Sequence, residues 1–246
     1  MRKLTKIVRS LIPRSAKSYL LRLAHKHSLM TSQAGQDFWV FGEAFNEQTH
    51  GFFVDIGAHD GISISNTYIL ELKYRWSGIC IEANPITFKE LKNNRRAANL
   101  NVCLDRAEGE VTFVLGDVMG GIVDQDTDNN DIDAITENVV KLRTTSLNRV
   151  FEERCVPSIV DYLSIDVEGA EERILAEFDF HKYTFRCITI ERPTELLRSI
   201  FKDNGYILIK EIPALDSFYV HQDFLEEYKR NLFAFYCKKH LTLRWR

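Results

Sequence analysis

The sequence predicts a doubly wound α/β domain, a mostly parallel sheet with helices on both faces. Three observations carry that prediction. Short apolar runs alternate with helix-patterned segments along most of the chain. Several of those runs end on a carboxylate, where open α/β sheets place their ligands. The 246 residues suffice for one such domain, and no internal repeat or low-complexity linker divides them.

In chain order, "GFFVDIG" (51–57) reads as a buried strand, residues 63–74 as a helix and "SGICIEA" (77–83) as the next strand. Residues 85–97 read as a helix with Pro85 in its first turn, because a missing N–H costs nothing there. "NLNVCL" (99–104) follows as a strand, and "GEVTFVL" (109–115) as an extra strand or hairpin arm. "VDYLSIDV" (160–167) and "FRCITIE" (185–191) are further buried strands, separated by the helix "EGAEERILAEF" (168–178). A helix near 194–203, the strand "GYILIKEI" (205–212) and a final strand candidate, "NLFAFYCKK" (231–239), able to run antiparallel, complete the series.

Charge is unevenly spread. Residues 1–30 hold eight Lys/Arg and no Asp/Glu, against 24 basic and 35 acidic residues in the remaining 216. Within that extension, Leu4, Ile7, Val8, Leu11 and Ile12 share a helical face and Pro13 ends it. The expected division is therefore a basic amphipathic extension over 1–30 and a catalytic domain over 31–246. The extension could touch a membrane peripherally or pack on its own domain. The acidic body argues against a nucleic-acid partner. No secretory leader pattern and no run of about 18 apolar residues is present, so a cytoplasmic protein, with possible peripheral contact at the membrane, is expected. Oligomeric state is not legible. The five cysteines lack any C-x-x-C pair and read as buried free thiols.

One acidic segment, 116–140, breaks the rhythm. Asp126, Asp128, Asn130 and Glu137 fit a calcium-loop register, but Asp131 occupies the position that needs glycine. The reading is a solvated acidic loop over the edge of the site, with no metal.

The site is expected where strands end: Asp55 and Gly57 after the first, Glu82 after the second, Asp105 near the third, Asp166 after the fourth and Glu191 after the fifth. An acid ending the second strand suits the two hydroxyls of a ribose. The turn after Gly57 should offer backbone N–H groups to an anion. His59, however, stands where a dinucleotide loop needs glycine against the pyrophosphate. S-adenosylmethionine (SAM) brings only a small carboxylate, so Glu82 with a relaxed glycine loop favours SAM over NAD. A short-chain reductase is further disfavoured by the missing G-x-G-x-x-G and Tyr-x-x-x-Lys patterns.

The blocks "SQAGQDFWV" (32–40), "GFFVDIGAHDGISISNTYILE" (51–71), "WSGICIEANPITFKEL" (76–91), "GEVTF" (109–113), "TTSLNRVFEE" (144–153), "DYLSIDVEGAEERIL" (161–175) and "ITIERP" (188–193) resemble, in order, those of the FkbM family of SAM-dependent methyltransferases. The resemblance covers roughly residues 32–210. It implies a Rossmann-like class I methyltransferase fold, seven strands with the last antiparallel, and O-methylation of hydroxyls on carbohydrates or related metabolites. It further implies that Asp55, Gly57, Ala58 and Gly61 form the methionine-end loop and that Glu82 holds the ribose. Asp105 or its neighbours would meet the adenine, Gln36 would close over the cofactor, and Asp166 would face the sulfonium and the acceptor. Ser65 and Asn66 are expected to tie the first helix to the sheet.

A hydroxyl is a poor nucleophile, so a general base is expected. The candidates are Asp166, Glu168 and His59, then Glu191 and His181. A non-catalytic interaction or trafficking module on the same fold is the alternative function.

Overall fold

A computed structural model describes residues 31–116, 120–130 and 138–243, with side chains through 238. The amphipathic helix expected over 4–12, and Asp131, Asp133 and Glu137 of the acidic segment, lie outside the described residues. Helix α1 (Gln36–Phe38) runs directly into a π-helical turn at Trp39–Ala44. Then come β1 (Phe52–Ile56), α2 (Tyr68–Tyr74), β2 (Ser77–Ile81), α3 (Pro85–Asn94) and β3 (Ala98–Leu100). An inserted region holds β4 (Cys103–Leu104), β5 (Gly109–Val114), β6 (Gly121–Ile122) and β7 (Val139–Thr145). The main series resumes with α4 (Leu147–Glu153), β8 (Ile159–Ile165), α5 (Glu171–Leu175), β9 (Thr184–Glu191) and α6 (Glu195–Asp203). It closes with β10 (Tyr206–Glu211), β11 (Asp216–His221), a 3-10 turn at Gln222–Phe224 and α7 (Leu225–Leu243).

The main sheet is ordered β10-β11-β9-β8-β1-β2-β3. β11 is antiparallel to both its neighbours, and the other pairings are parallel. A sheet in this order, with the reversed strand β11 slotted between β9 and β10, is the class I methyltransferase fold. Strand alternation explains its two layers. Val54, Ile56, Ile79, Ile81, Leu163 and Ile165 face one core with α4, α5 and α6. Phe53, Cys80, Tyr162, Cys187 and Phe218 face the other, beneath α1, α2, α3 and α7.

The elements depart from expectation in places with local causes. Helix α2 begins at Tyr68 rather than 63, because polar side chains upstream capture backbone N–H groups. Asp60 Oδ1 accepts from Ile62 N and Ser63 N, and Ser65 Oγ accepts from Thr67 N and Tyr68 N. "NLNVCL" is two strands in two sheets, broken at Asn101, whose amide donates to the Glu82 and Ala83 carbonyls. "GEVTFVL" is a hairpin arm, with β5 antiparallel to β7.

The final strand candidate requires correction. "NLFAFYCKK" lies in α7, where buried Tyr228 and Phe235 recur at helical spacing. The antiparallel strand is "DSFYVH" instead. All five cysteines are free, but only Cys80, Cys103 and Cys187 are buried; Cys155 and Cys237 are exposed.

Candidate functional site

A cavity of about 410 Å³ opens at the carboxyl ends of β1, β2 and β8. The loop after β1 forms its floor. Gly57 has φ +82, and a Cβ added there would overlap the Asp166 carbonyl oxygen, so this position needs glycine for both conformation and space. Gly57 N and Ala58 N both donate to Ile81 O at 3.0 Å, and Gly61 N to Ala58 O. His59 N donates to Glu82 Oε2 at 2.8 Å. The expectation of a free N–H cradle is therefore not met: these amides are spent on holding the loop to β2. That leaves no ready seat for a pyrophosphate.

Glu82 is fixed from both sides, since Asn84 N donates to its other oxygen at 2.7 Å. Each oxygen keeps a second lone pair, and Glu82 lines the cavity. Burial raises its pKa despite the two N–H donors. Asp55 is held behind the loop. Thr67 Oγ1 donates to it at 2.5 Å, and the Arg95 guanidinium lies 3.8 Å away. Arg95 is itself buried, bridging Glu71, the Gly61 carbonyl and Thr67. Burial outweighs Arg95 in setting Asp55, whose pKa is raised.

Opposite the glycine loop, β8 delivers Asp166 and the turn before α5 delivers Glu168. With Glu191 from the end of β9, their carboxylate oxygens come within 4.8 Å of one another. Burial, then repulsion from Glu191 and Glu168, pushes Asp166 up to about 8. Burial and Glu191 push Glu168 up to about 7. Such a trio favours a positive ligand, whether a metal ion or an organic cation. Arg192 is the counter-charge, pairing with Glu191 at 3.0 Å and with Asp128, and lying 3.9 Å from Glu168.

The inserted sheet covers the remaining side through Phe113, Gly121 and Ile122. The acidic segment does reach the edge of the site, as its position suggested. Asp124, Asp126 and Asp128 are exposed, as expected of a solvated loop, but they are paired: Asp124 and Asp126 each meet Arg173 at 2.7 Å, and Asp128 pairs with Arg192.

The sequence-predicted residues divide accordingly. Asp55, Gly57, Ala58, His59, Glu82, Asp166, Glu168 and Glu191 all line the cavity. Gly61 does not; a Cβ there would strike Arg95 and Leu91, so its place is in the packing behind the loop. Asp105 lies outside the wall, held by Arg173 at 2.8 and 2.9 Å. Its neighbours Val102, Cys103 and Leu104 line the cavity in its stead. Gln36 is buried against Asp216, to which it donates, and within "SQAGQD" it is Gln33 that reaches the wall. Asn66 donates to Ser164 Oγ at 3.0 Å, tying the loop to β8 while also lining the cavity. His181 lies in the turn before β9, away from the cavity. Sequence reasoning missed Arg192, although the "IERP" block contains it, because an arginine after an acid reads as an exposed partner.

The model of the Methyltransferase FkbM domain matches residues 55–208, well over half of the chain. The chain belongs to the FkbM methyltransferase family. No curated protein matches it significantly. Among solved structures it is similar to the methyltransferase FkbM of Methylobacillus flagellatus KT, with 15% identity and TM-score 0.43. That match covers 70% of this chain and 44% of the other, so this FkbM-family chain spans less than half of that relative's length. It is also similar to the METTL16 methyltransferase domain, with 14% identity, TM-score 0.41 and coverage of 86% and 70%. A third is the precorrin-6y C5,15-methyltransferase of Geobacter metallireducens GS-15, with 12% identity, TM-score 0.36 and coverage of 79% and 90%.

Proposed function

We propose that this FkbM-family methyltransferase uses SAM and transfers its methyl group to a hydroxyl of a carbohydrate or related hydroxylated metabolite. The observation that carries the reading is the charge of the cavity wall. Six carboxylates (Asp55, Glu82, Asp128, Asp166, Glu168, Glu191) face it against one arginine and one histidine. A dinucleotide or phosphorylated ligand would meet repulsion there, whereas a sulfonium would relieve it.

The residues fit SAM. Glu82 stands ready to accept from both ribose hydroxyls. The apolar wall of Val102, Leu104, Phe113 and Ile122 suits a purine ring. When bound, SAM supplies an electrophilic methyl group on a positive sulfur. Asp166, at the end of β8, is placed to face that charge and to take the acceptor's proton. Its pKa near 8 makes it a stronger base than an ordinary carboxylate. Glu168 and Glu191 sustain that basicity by repulsion, and Arg192 keeps their own charge tolerable. His59 shapes the turn: it sits at φ 50, its N–H belongs to Glu82, and its ring lies 3.7 Å from Asp60.

Incubation with methyl-labelled SAM and a panel of sugars and polyols, read by mass spectrometry, tests this reading. Label transferred to an acceptor oxygen is the expected result. Transfer only to amine nitrogens would overturn the hydroxyl assignment. SAM binding without transfer to any acceptor in cell extract would favour the non-catalytic module.

A further inference from the structure

Helix α7 packs one face on the domain and leaves a different kind of face outside. Tyr228 and Phe235 are buried, and Phe235 meets Phe38 of α1 edge-on, with ring centres 5.6 Å apart. On the outer side Phe233 is 74% exposed and Tyr236 41% exposed. Together with Lys229, Leu232 and Cys237 they line a shallow surface groove. Phe233 is the most exposed large apolar side chain among the described residues. So open a ring adds almost nothing to the fold, and neighbouring apolar atoms make it a patch rather than an isolated exposure.

The surroundings of that patch are basic on balance: residues 225–246 carry six Lys/Arg against Glu226 and Glu227, with Lys229 pairing with Glu226 at 2.6 Å and the Tyr236 hydroxyl donating to Glu43. Lys229, Arg230 and Lys238 are exposed beside it. From residue 231 to 246 the sequence carries four Lys/Arg and no Asp/Glu. Residues 31–224 instead carry 18 basic and 33 acidic side chains, and residues 1–30 eight basic and none acidic. Thr31 leads into α1, and the π-helical turn that continues α1 packs directly on α7: Asn231 donates to the Ala44 carbonyl at 2.8 Å. Residue 31, at which the basic stretch of the sequence ends, and α7 therefore belong to neighbouring parts of the same helical layer.

We propose that α7 rests on an anionic lipid surface, with Phe233 and Tyr236 entering the headgroup boundary and Lys229, Arg230 and Lys238 meeting lipid phosphates. An exposed aromatic stripe flanked by cations matches both halves of such an interface. The negative body is repelled by the same surface, which fixes the orientation of docking. Among the described residues no helix is long and apolar enough to cross a membrane, so the helix lies on the bilayer. A second copy of the chain is a poorer occupant, because a two-fold contact would set the same patch against itself and oppose Arg230 and Lys238 with like charges.

Flotation of the full chain with phosphatidylcholine vesicles, with and without phosphatidylserine, tests the proposal. Binding is expected only to the serine-containing vesicles and is lost in high salt. Phe233→Asp and Lys229→Glu/Arg230→Glu should each weaken it by roughly tenfold or more. Sedimentation of the same variants should remain that of the folded wild type, since these side chains are exposed. Charge reversal at Arg2, Lys3, Lys6 and Arg9 in the full chain distinguishes the extension from α7. Binding abolished by that reversal but indifferent to Phe233→Asp would overturn the assignment. So would equal binding to neutral vesicles, no vesicle binding at all, or a dimer dissolved by Phe233→Asp.

Discussion

The backbone N–H of His59 donates to Glu82 Oε2 at 2.8 Å, joining the loop after β1 to the acid at the end of β2. The histidine contributes its backbone to this link, in a left-handed conformation. Its side chain takes no part in that link, and the ring lies 3.7 Å from Asp60.

A first prediction concerns His59 itself. If it shapes the turn, His59→Gly adopts the same φ at no steric penalty and keeps stability to within about 1 kcal/mol. Methyl transfer by that variant should persist with an unchanged pH profile. A β-branched residue in the same place, His59→Val, should lower the melting temperature instead, because it resists positive φ.

Gly57→Ala is expected to be far more damaging. The new methyl would overlap the Asp166 carbonyl, forcing the loop away from β8. Steric conflict with backbone at a left-handed position costs on the order of 2–4 kcal/mol. Thermal unfolding measures the loss, and binding of S-adenosylhomocysteine should weaken even in the fraction that folds.

Asp166 and Glu168 set opposite pH trends for stability and activity. Both folded pKa values are raised, to about 8 and about 7. Their stabilising contribution is therefore complete below the unfolded carboxylate value near 4 and is lost as pH rises through 7 to 8. Apo protein should unfold more easily at pH 8 than at pH 6, and Asp166→Asn should flatten that slope. A base must be unprotonated to work, so kcat/KM should rise over the same interval. In Asp166→Asn turnover should fall by about 10²- to 10⁴-fold, whereas Glu168→Gln should mainly shift the profile to lower pH by removing a repelling charge.

The carboxylate trio also sets an expectation for metals. With the sulfonium as its cation, EDTA should leave methyl transfer unchanged. Activity lost on chelation and restored by Mg²⁺ would assign Asp166, Glu168 and Glu191 to a metal ion.

Much of this arrangement was legible in the sequence because it depends on local pattern. Strand ends are marked where an apolar run meets Asp55, Glu82, Asp166 or Glu191, and those four side chains do converge on one cavity. Asp105 shows where pattern fails. It too follows an apolar run, yet Arg173, 68 residues away in sequence, holds it buried outside the cavity wall. Gln36 is drawn to Asp216 by a contact still more distant in sequence, 180 residues. The last strand escapes the pattern because "DSFYVH" is bounded by Asp216 and His221 while its neighbour "NLFAFYCKK" is more apolar. Only the packing of Phe235 against Phe38 of α1 and of Tyr228 against Trp39 of the π-helical turn shows that the latter must be helix.

The central claim, a SAM site built on Glu82, is tested most directly by calorimetric titration with S-adenosylhomocysteine. Wild type should bind one equivalent, and Glu82→Ala, verified as folded, should bind roughly 10- to 100-fold more weakly, the worth of hydrogen bonds to a charged acceptor. NAD should give no heat with either protein. A wild-type protein that ignores S-adenosylhomocysteine, or a Glu82→Ala variant that binds it undiminished, would contradict the account.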